Sequence, residues 1–259
     1  MFHREESAFY QNNQIVNVIC QLRFPTILAI GAKAPFEFQD AVRKEYPQYQ
    51  LKKEQPAPKL VNRGGVITPE KQELILNHTF STADGGWTLN LTSGFIALST
   101  TQYEDWETFA HRLDWALAAF FAIYQPAYFE RIGLRYINGF SKRELGAEQL
   151  RWSDLLEPAF TGLMAEEDVQ EGDFSRCTQD AELRIRGGCR AKIHTGPGLV
   201  KHGGVQEKEP RYILDLDVSM AGQVQLTLLT GALQTVHQNA VSLFRGAITD
   251  ELHDAMDPR

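Results

Sequence analysis

The chain has 259 residues, of which 43% are hydrophobic, 10% aromatic and 23% charged. This balance supports a buried core and excludes wholesale disorder, collagen-like repeats and a mini-protein scaffold. Lys and Arg total 26 against 33 Asp and Glu, a net charge of -7, so any contact with a polyanion has to come from a local basic patch and not from bulk charge.

At the N-terminus, MFHREESAFYQNNQ mixes charges without the apolar run of a secretory signal, and its acids argue against a transit peptide. Residues 14–24 alternate, with Val16, Val18, Cys20, Leu22 and Phe24 on one side and Asn17, Gln21 and Arg23 mostly on the other, the period of a half-buried strand. Over 35–46, Pro35 stands near a helix start, and Phe38, Ala41, Val42 and Tyr46 share a helical face. The stretch KKEQPAPKLVNRGG at 52–65 combines charge, two prolines and a Gly pair and reads as an exposed loop. Apolar runs at 73–80, 87–91 and 95–100 are broken at Asp84-Gly85-Gly86 and Ser93-Gly94, which predicts an antiparallel meander. A long helix over 101–124 follows, with Thr101 and Glu104 as a capping box and Trp106, Phe109, Leu113, Leu117, Phe120 and Tyr124 at spacings of three and four. Its apolar end, 115–124, is the longest apolar run in the chain and much shorter than the ~20 residues that span a bilayer, so no membrane insertion is expected. After Pro126, residues 128–140 alternate as a strand, with Ile132, Leu134 and Tyr136 opposite Arg131 and Arg135.

Beyond Ser141 come a helix-like piece around 152–164 and the acidic stretch EEDVQEGD at 166–173. Strands are expected near 181–186, 189–194, 211–220 and 223–229, then a closing helix over 230–256 with Leu233, Val236, Ala240, Phe244, Ala247 and Ile248 on one face. The predicted class is α+β: antiparallel sheets packed by long amphipathic helices. The order of elements suggests two similar halves, 1–140 and 181–259, joined by a polar segment at 141–180. Three widely spaced cysteines, Cys20, Cys177 and Cys189, form no disulfide framework and point to a reducing, cytoplasmic setting.

Five phrases, LRFP at 22–25, FQDAVRKEYP at 38–47, RIGLRYINGF at 131–140, SDLLEPAFTGL at 153–163 and LFRGAITDEL at 243–252, resemble an uncharacterised, sporadically distributed bacterial protein family of similar length. The RYIN and AITDEL phrases are the more specific. The resemblance implies a shared fold-level unit and no reaction, and a patchy distribution would suit mobile or defence-linked genes.

Two segments are candidates for anion binding. Around Gly187-Gly188, the cations fall at every second residue, so Arg184 and Arg186 share one strand face, as do Arg190, Lys192 and His194. Joined by Arg131, Arg135 and Arg23, this face would hold phosphates through guanidinium contacts. Alternatively it is a solvated sheet face on which Asp215 and Asp217 pair with the arginines across strands. The loop HTGPGLVKHGG at 194–204 is the second candidate: its glycines allow close backbone approach to an anion and Lys201 adds a charge, but it matches no Walker spacing and equally reads as a hairpin tip. Arg135-Tyr136-Ile137-Asn138 either stacks on and bonds a base or locks a turn before Gly139. His111 and His237 read as helix-boundary histidines. No metal-ligand spacing and no nucleophile elbow occur, so no metal or cofactor is expected and no catalytic constellation is recognised.

Besides a small-molecule enzyme with its pocket between the halves, for which no residue selects a substrate, two readings stand at this stage. One is a non-enzymatic binding or interaction protein of the bacterial cytosol, a regulatory or defence-associated subunit with a protein partner or a second copy of itself. The other is a nucleic-acid-binding, RNA-processing-like protein, with or without nuclease activity, that uses Arg184, Arg186, Arg190, Lys192, His194 and Lys201 on phosphates, His194 doubling as an acid or base.

Overall fold

The computed structural model describes residues 9–64, 66–202 and 205–259. In chain order the strands are β1 (Ile15–Arg23), β2 (Gln48–Glu54), β3 (Lys59–Arg63), β4 (Val66–Glu70), β5 (Ile75–Ser81), β6 (Trp87–Leu91), β7 (Phe95–Thr100), β8 (Phe129–Phe140), β9 (Gln179–Arg184), β10 (Cys189–Gly198), β11 (Lys201–His202), β12 (Val205–Gln206) and β13 (Arg211–Val224). The helices are α1 (Leu28–Ala32), α2 (Phe36–Val42), α3 (Trp106–Ile123), α4 (Trp152–Leu155), α5 (Pro158–Thr161), α6 (Leu229–Arg245) and α7 (Asp250–Ala255). The protein is α+β, built on one large antiparallel sheet of order β2-β5-β6-β7-β1-β8-β13-β10-β9, with β3-β4 and β11-β12 as separate two-stranded pieces.

Alternation along each strand decides what the two sheet faces hold. One cross-strand row reads Tyr49, Phe80, Leu89, Leu98, Cys20, Leu134, Val218, Ala191 and Leu183, and its seven central members are buried. One residue along, the row on the other face reads Gln48, Ser81, Thr88, Ser99, Ile19, Arg135, Asp217, Lys192 and Glu182. A single antiparallel sheet with one dry and one wet face follows from this pattern. Both long helices lie on the dry face: α3 meets it through Phe24–Phe120 and Trp87–Phe109, with ring centroids 5.1 and 5.8 Å apart, and α6 through Phe140–Phe244 at 6.3 Å. The strands of the first and second halves join at β8, which pairs with β1 on one side and β13 on the other.

Several local expectations are revised. Helix α3 starts at Trp106, capped by Asp105: its carboxylate accepts from the Thr108 backbone N–H at 2.7 Å and from the Thr108 hydroxyl at 3.1 Å, so the Thr101–Glu104 pair is not the cap. Asp105→Ala is expected to lower stability by about 1 kcal/mol, read as a shift in the urea midpoint; no shift would mean that another group holds this helix start. The stretch at 52–65, expected as a loop, contains the end of β2 and the whole of β3; Gly65 itself lies outside the described residues. The sequence hides β2 because this edge strand is exposed along its whole length, so no buried face imposes alternation. Residues 223–229 do not make a separate strand, since β13 runs on to Val224 and a short 3-10 turn at Leu226–Leu228 leads into α6.

The closing helix is likewise broken. Gly246 caps the end of α6, and Thr249 starts α7 by accepting from the Leu252 backbone N–H at 3.3 Å. Asn138-Gly139 lies inside β8 and not at a turn: the Asn138 amide is buried and donates to the Leu214 carbonyl at 3.0 Å. The polar segment 141–180 is fastened to both halves. The Asn12 amide donates to the Glu144 carbonyl and the Ser141 backbone N–H to the Gln14 side chain, Arg211 of the second half binds the Glu144 carboxylate, and within the segment Glu171 binds Lys142 at 2.7 Å and accepts from the Trp152 backbone N–H.

Candidate binding groove and the charged sheet face

Every predicted site residue except Arg186 and Lys201 falls on the wet face of β9 and β10. Arg184 stands directly opposite Arg190, Glu182 opposite Lys192, and Asp180 opposite His194. Arg190 and Lys192 both approach Glu182, at 3.7 and 3.6 Å, and His194 Nδ1 meets Asp180 at 2.8 Å. On the neighbouring strands, Arg135 makes a two-pronged pair with Asp215, its Nε at 2.7 Å, and Arg131 reaches Asp217 at 2.7 Å. Arg131 makes that reach across Gly133, where a Cβ would sit 2.2 Å from its Nη1. Acid and base thus alternate from strand to strand, and a shallow depression of about 440 Å³ between them is lined by carboxylates as well as cations. Exposed pairs of this kind contribute little stability, and each carboxylate offsets the cation's pull on a phosphate.

Arg186 belongs to the turn Arg186–Gly188 between β9 and β10, where Gly187 and Gly188 have φ of 70° and 71°, and so leaves the strand face it was expected to share with Arg184. Its carbonyl accepts from the Asn239 amide of α6 at 3.4 Å. Lys201 sits exposed in β11. The end of its loop, Gly203-Gly204, lies outside the described residues. Among the described residues no group of three His, Cys, Asp or Glu side chains is placed to hold a metal ion, and no helix is long and apolar enough to cross a membrane. All three cysteines are free thiols.

On the dry face, α3 and α6 do not close over the sheet completely. A groove of about 530 Å³ runs between the start of α3 and the middle of α6, with Tyr136, Asn138 and Leu216 as its floor and residues of the segment before β1 at one end. Four aromatic side chains, from β8, α3, α6 and the loop before α3, organise it. His237 of α6 stacks on Trp106 of α3 with centroids 4.1 Å apart and planes 5° from parallel. Its Nδ1 shares a 3.0 Å hydrogen bond with the Tyr136 hydroxyl, which in turn lies 3.5 Å from the hydroxyl of Tyr103. Tyr103 also packs edge-on against Tyr136 at 5.6 Å. One lip carries the exposed carboxylates Glu104 and Glu107, whereas the far end carries Arg245 and Arg259.

Burial sets the protonation of this cluster. It pushes the His237 imidazole down to about 4 and the Tyr103 phenol up to about 12, and it raises Tyr136 well above the usual phenol range. All three are therefore neutral near pH 7. General acid–base chemistry is most effective when the group's pKa lies near the operating pH, a condition none of these three meets.

Sequence reasoning did not assemble this groove. His237 and Tyr136 stood out singly, but they lie far from each other and from the neighbouring Tyr103 and Trp106 in the chain and meet no motif spacing; only the register of β8 in the sheet and the packing of α6 bring the four together. No family model and no curated protein matches the chain.

Proposed function

We propose that the chain is a non-enzymatic binding protein that takes its ligand into the groove between α3 and α6. The observation that carries this reading is the groove itself. It is a concave, mostly apolar site with a few convergent polar groups, set between the two long helices, and such sites are where ligands are usually held. The neutral Tyr–Tyr–His cluster supports binding over catalysis, because it offers shape, stacking surface and hydrogen bonds without a group poised to move protons at pH 7.

A nucleic-acid reading through Arg190, Lys192 and His194 draws less support from the geometry, since each of these side chains has a carboxylate within 4 Å. Native mass spectrometry on the full chain, purified from its own host, tests both readings. Retention of an extra mass by the wild type and its loss in Val241→Trp, which fills the groove from a half-exposed wall position, is the expected result. Wild-type protein without any adduct would sink the groove reading. Nuclease-sensitive material that survives Val241→Trp and disappears on charge reversal at Arg190 and Lys192 would favour the sheet face instead.

A further inference from the structure

Among the described residues of the groove wall, Arg245 alone is both charged and buried. Its side chain is only 9% exposed, yet the carboxylate it binds, Asp250 at 2.9 Å through Nη2, is 70% exposed. The other terminal nitrogen, Nη1, is buried and has no acceptor among the described residues. A guanidinium is charged at all working pH values and has five N–H groups to place, so leaving a terminal nitrogen unmatched in a dry site is costly. The wall beside it is apolar, with Phe244, Val241 and Met256 lining the same cavity. Tyr10, also in the wall, feels this charge: burial raises its phenol and the nearby guanidinium opposes the rise. The carboxylates that line the groove among the described residues, Glu104, Asp105 and Glu107, all lie on the other lip, so the groove is polarised from an acidic mouth at the start of α3 to a cationic end at α6.

We propose that the groove accepts an amphipathic anion, an apolar or aromatic body carrying one oxyanion group, with the oxyanion bonded by Arg245. This rests on the binding function assigned to the groove and specifies its ligand class. The body lies over Trp106, Val241 and Phe244, and the oxyanion accepts from the guanidinium N–H that has no acceptor among the described residues, a charge-assisted contact of the kind arginine makes best. A neutral molecule of the same shape gains the apolar contact and leaves the guanidinium as it is. The volume of about 530 Å³ falls within the range of small-molecule pockets, about 300–1,000 Å³.

Two fluorescent probes separate the parts of this statement. Anilinonaphthalene sulfonate is aromatic and anionic, and N-phenyl-1-naphthylamine is its uncharged counterpart. Titrated into the full chain, both are expected to bind, the sulfonate at least tenfold more tightly. Arg245→Met, which keeps the apolar stem, should weaken the sulfonate by roughly 10- to 100-fold, the size of a lost hydrogen bond to a charged group, and leave the amine unchanged. Arg245→Lys should restore most of the preference, and a circular dichroism melt on each variant reports whether it folds. Should Arg245→Met fail to fold, Asp250→Asn provides the second test: removing the carboxylate that competes for Arg245 should tighten the sulfonate several-fold.

Equal affinity for the two probes, or a sulfonate preference that survives Arg245→Met, would overturn the anion subsite and leave the groove as a binding site. Failure of both probes to bind, or binding that Val241→Trp does not reduce, would overturn the groove reading as well. Competition with laurate and with dodecyl phosphate then distinguishes a carboxylate from a phosphate headgroup, and displacement by neither would count against the proposal.

Discussion

Phe120→Ala is expected to destabilise the protein by about 3–5 kcal/mol, the range for removing a large aromatic from a closed core. Phe120 is fully buried on the inner face of α3, with ring centroids 5.1 Å from Phe24, 5.8 Å from Phe121 and 5.5 Å from Tyr124. Phe24 follows directly after β1, so the truncation removes contacts between the helix and the centre of the sheet and leaves a void that rigid strands cannot close. Against a typical total of about 5–15 kcal/mol this is a large loss. A guanidinium chloride titration should show the midpoint drop with little change in slope. A loss below about 1 kcal/mol would mean that α3 is not seated on the sheet through this residue.

Acid should weaken the fold through His237. Its imidazole is held at about 4 by burial, whereas in the unfolded chain it returns to about 6.5. Between these values the unfolded state takes up a proton that the folded state refuses. The contribution of this residue to stability is therefore fully present above the unfolded value and is lost as pH falls from about 6.5 toward 4, by on the order of 3 kcal/mol at the lower end. Buried His78, also depressed by burial, adds to the loss in the same direction. His237→Asn keeps a polar atom near Tyr136 and removes the titration. Chemical denaturation of the two proteins at a series of pH values should give a gap that narrows as the pH is lowered, and parallel curves would show that the histidine is not shielded. Protonation also breaks the hydrogen bond from Tyr136 in its accepting form, so the groove and the fold should weaken together in acid.

The sequence carries the α+β class because burial follows period: Phe109, Leu113, Leu117 and Phe120 in α3, and Val18, Cys20 and Leu22 in β1, read directly as helix and strand. Where burial is absent the reading fails. The strand Gln48–Glu54 has no protected face, and Asn138-Gly139 mimics a turn while lying in a strand flanked on both sides. Two competing caps within five residues misplace the start of α3, since Thr101 and Glu104 meet the spacing and Asp105 with Thr108 meets the geometry. The wet face is partly legible, because the alternation of Arg190, Lys192 and His194 is local. Their carboxylate partners Asp180 and Glu182 become visible only once the β9–β10 register is known. The groove is the least legible part, as its members are joined by tertiary packing and by no local pattern.

The central place of β8 has a consequence for synthesis. It pairs on one side with β1, which has already been made, and on the other with β13, which lies beyond the whole connecting segment and the β9–β10 hairpin. While those later residues are being translated, the completed first-half sheet presents the Ile132–Leu134–Tyr136 strand as a bare edge whose amides and carbonyls await a distant partner. An unpaired, hydrophobic strand edge is the feature most prone to capture by another chain. Folding speed is then governed by how quickly residues 211–224 find that edge, and variants that delay β13 are expected to show their defect as aggregation of newly made protein before any fall in the stability of the finished fold.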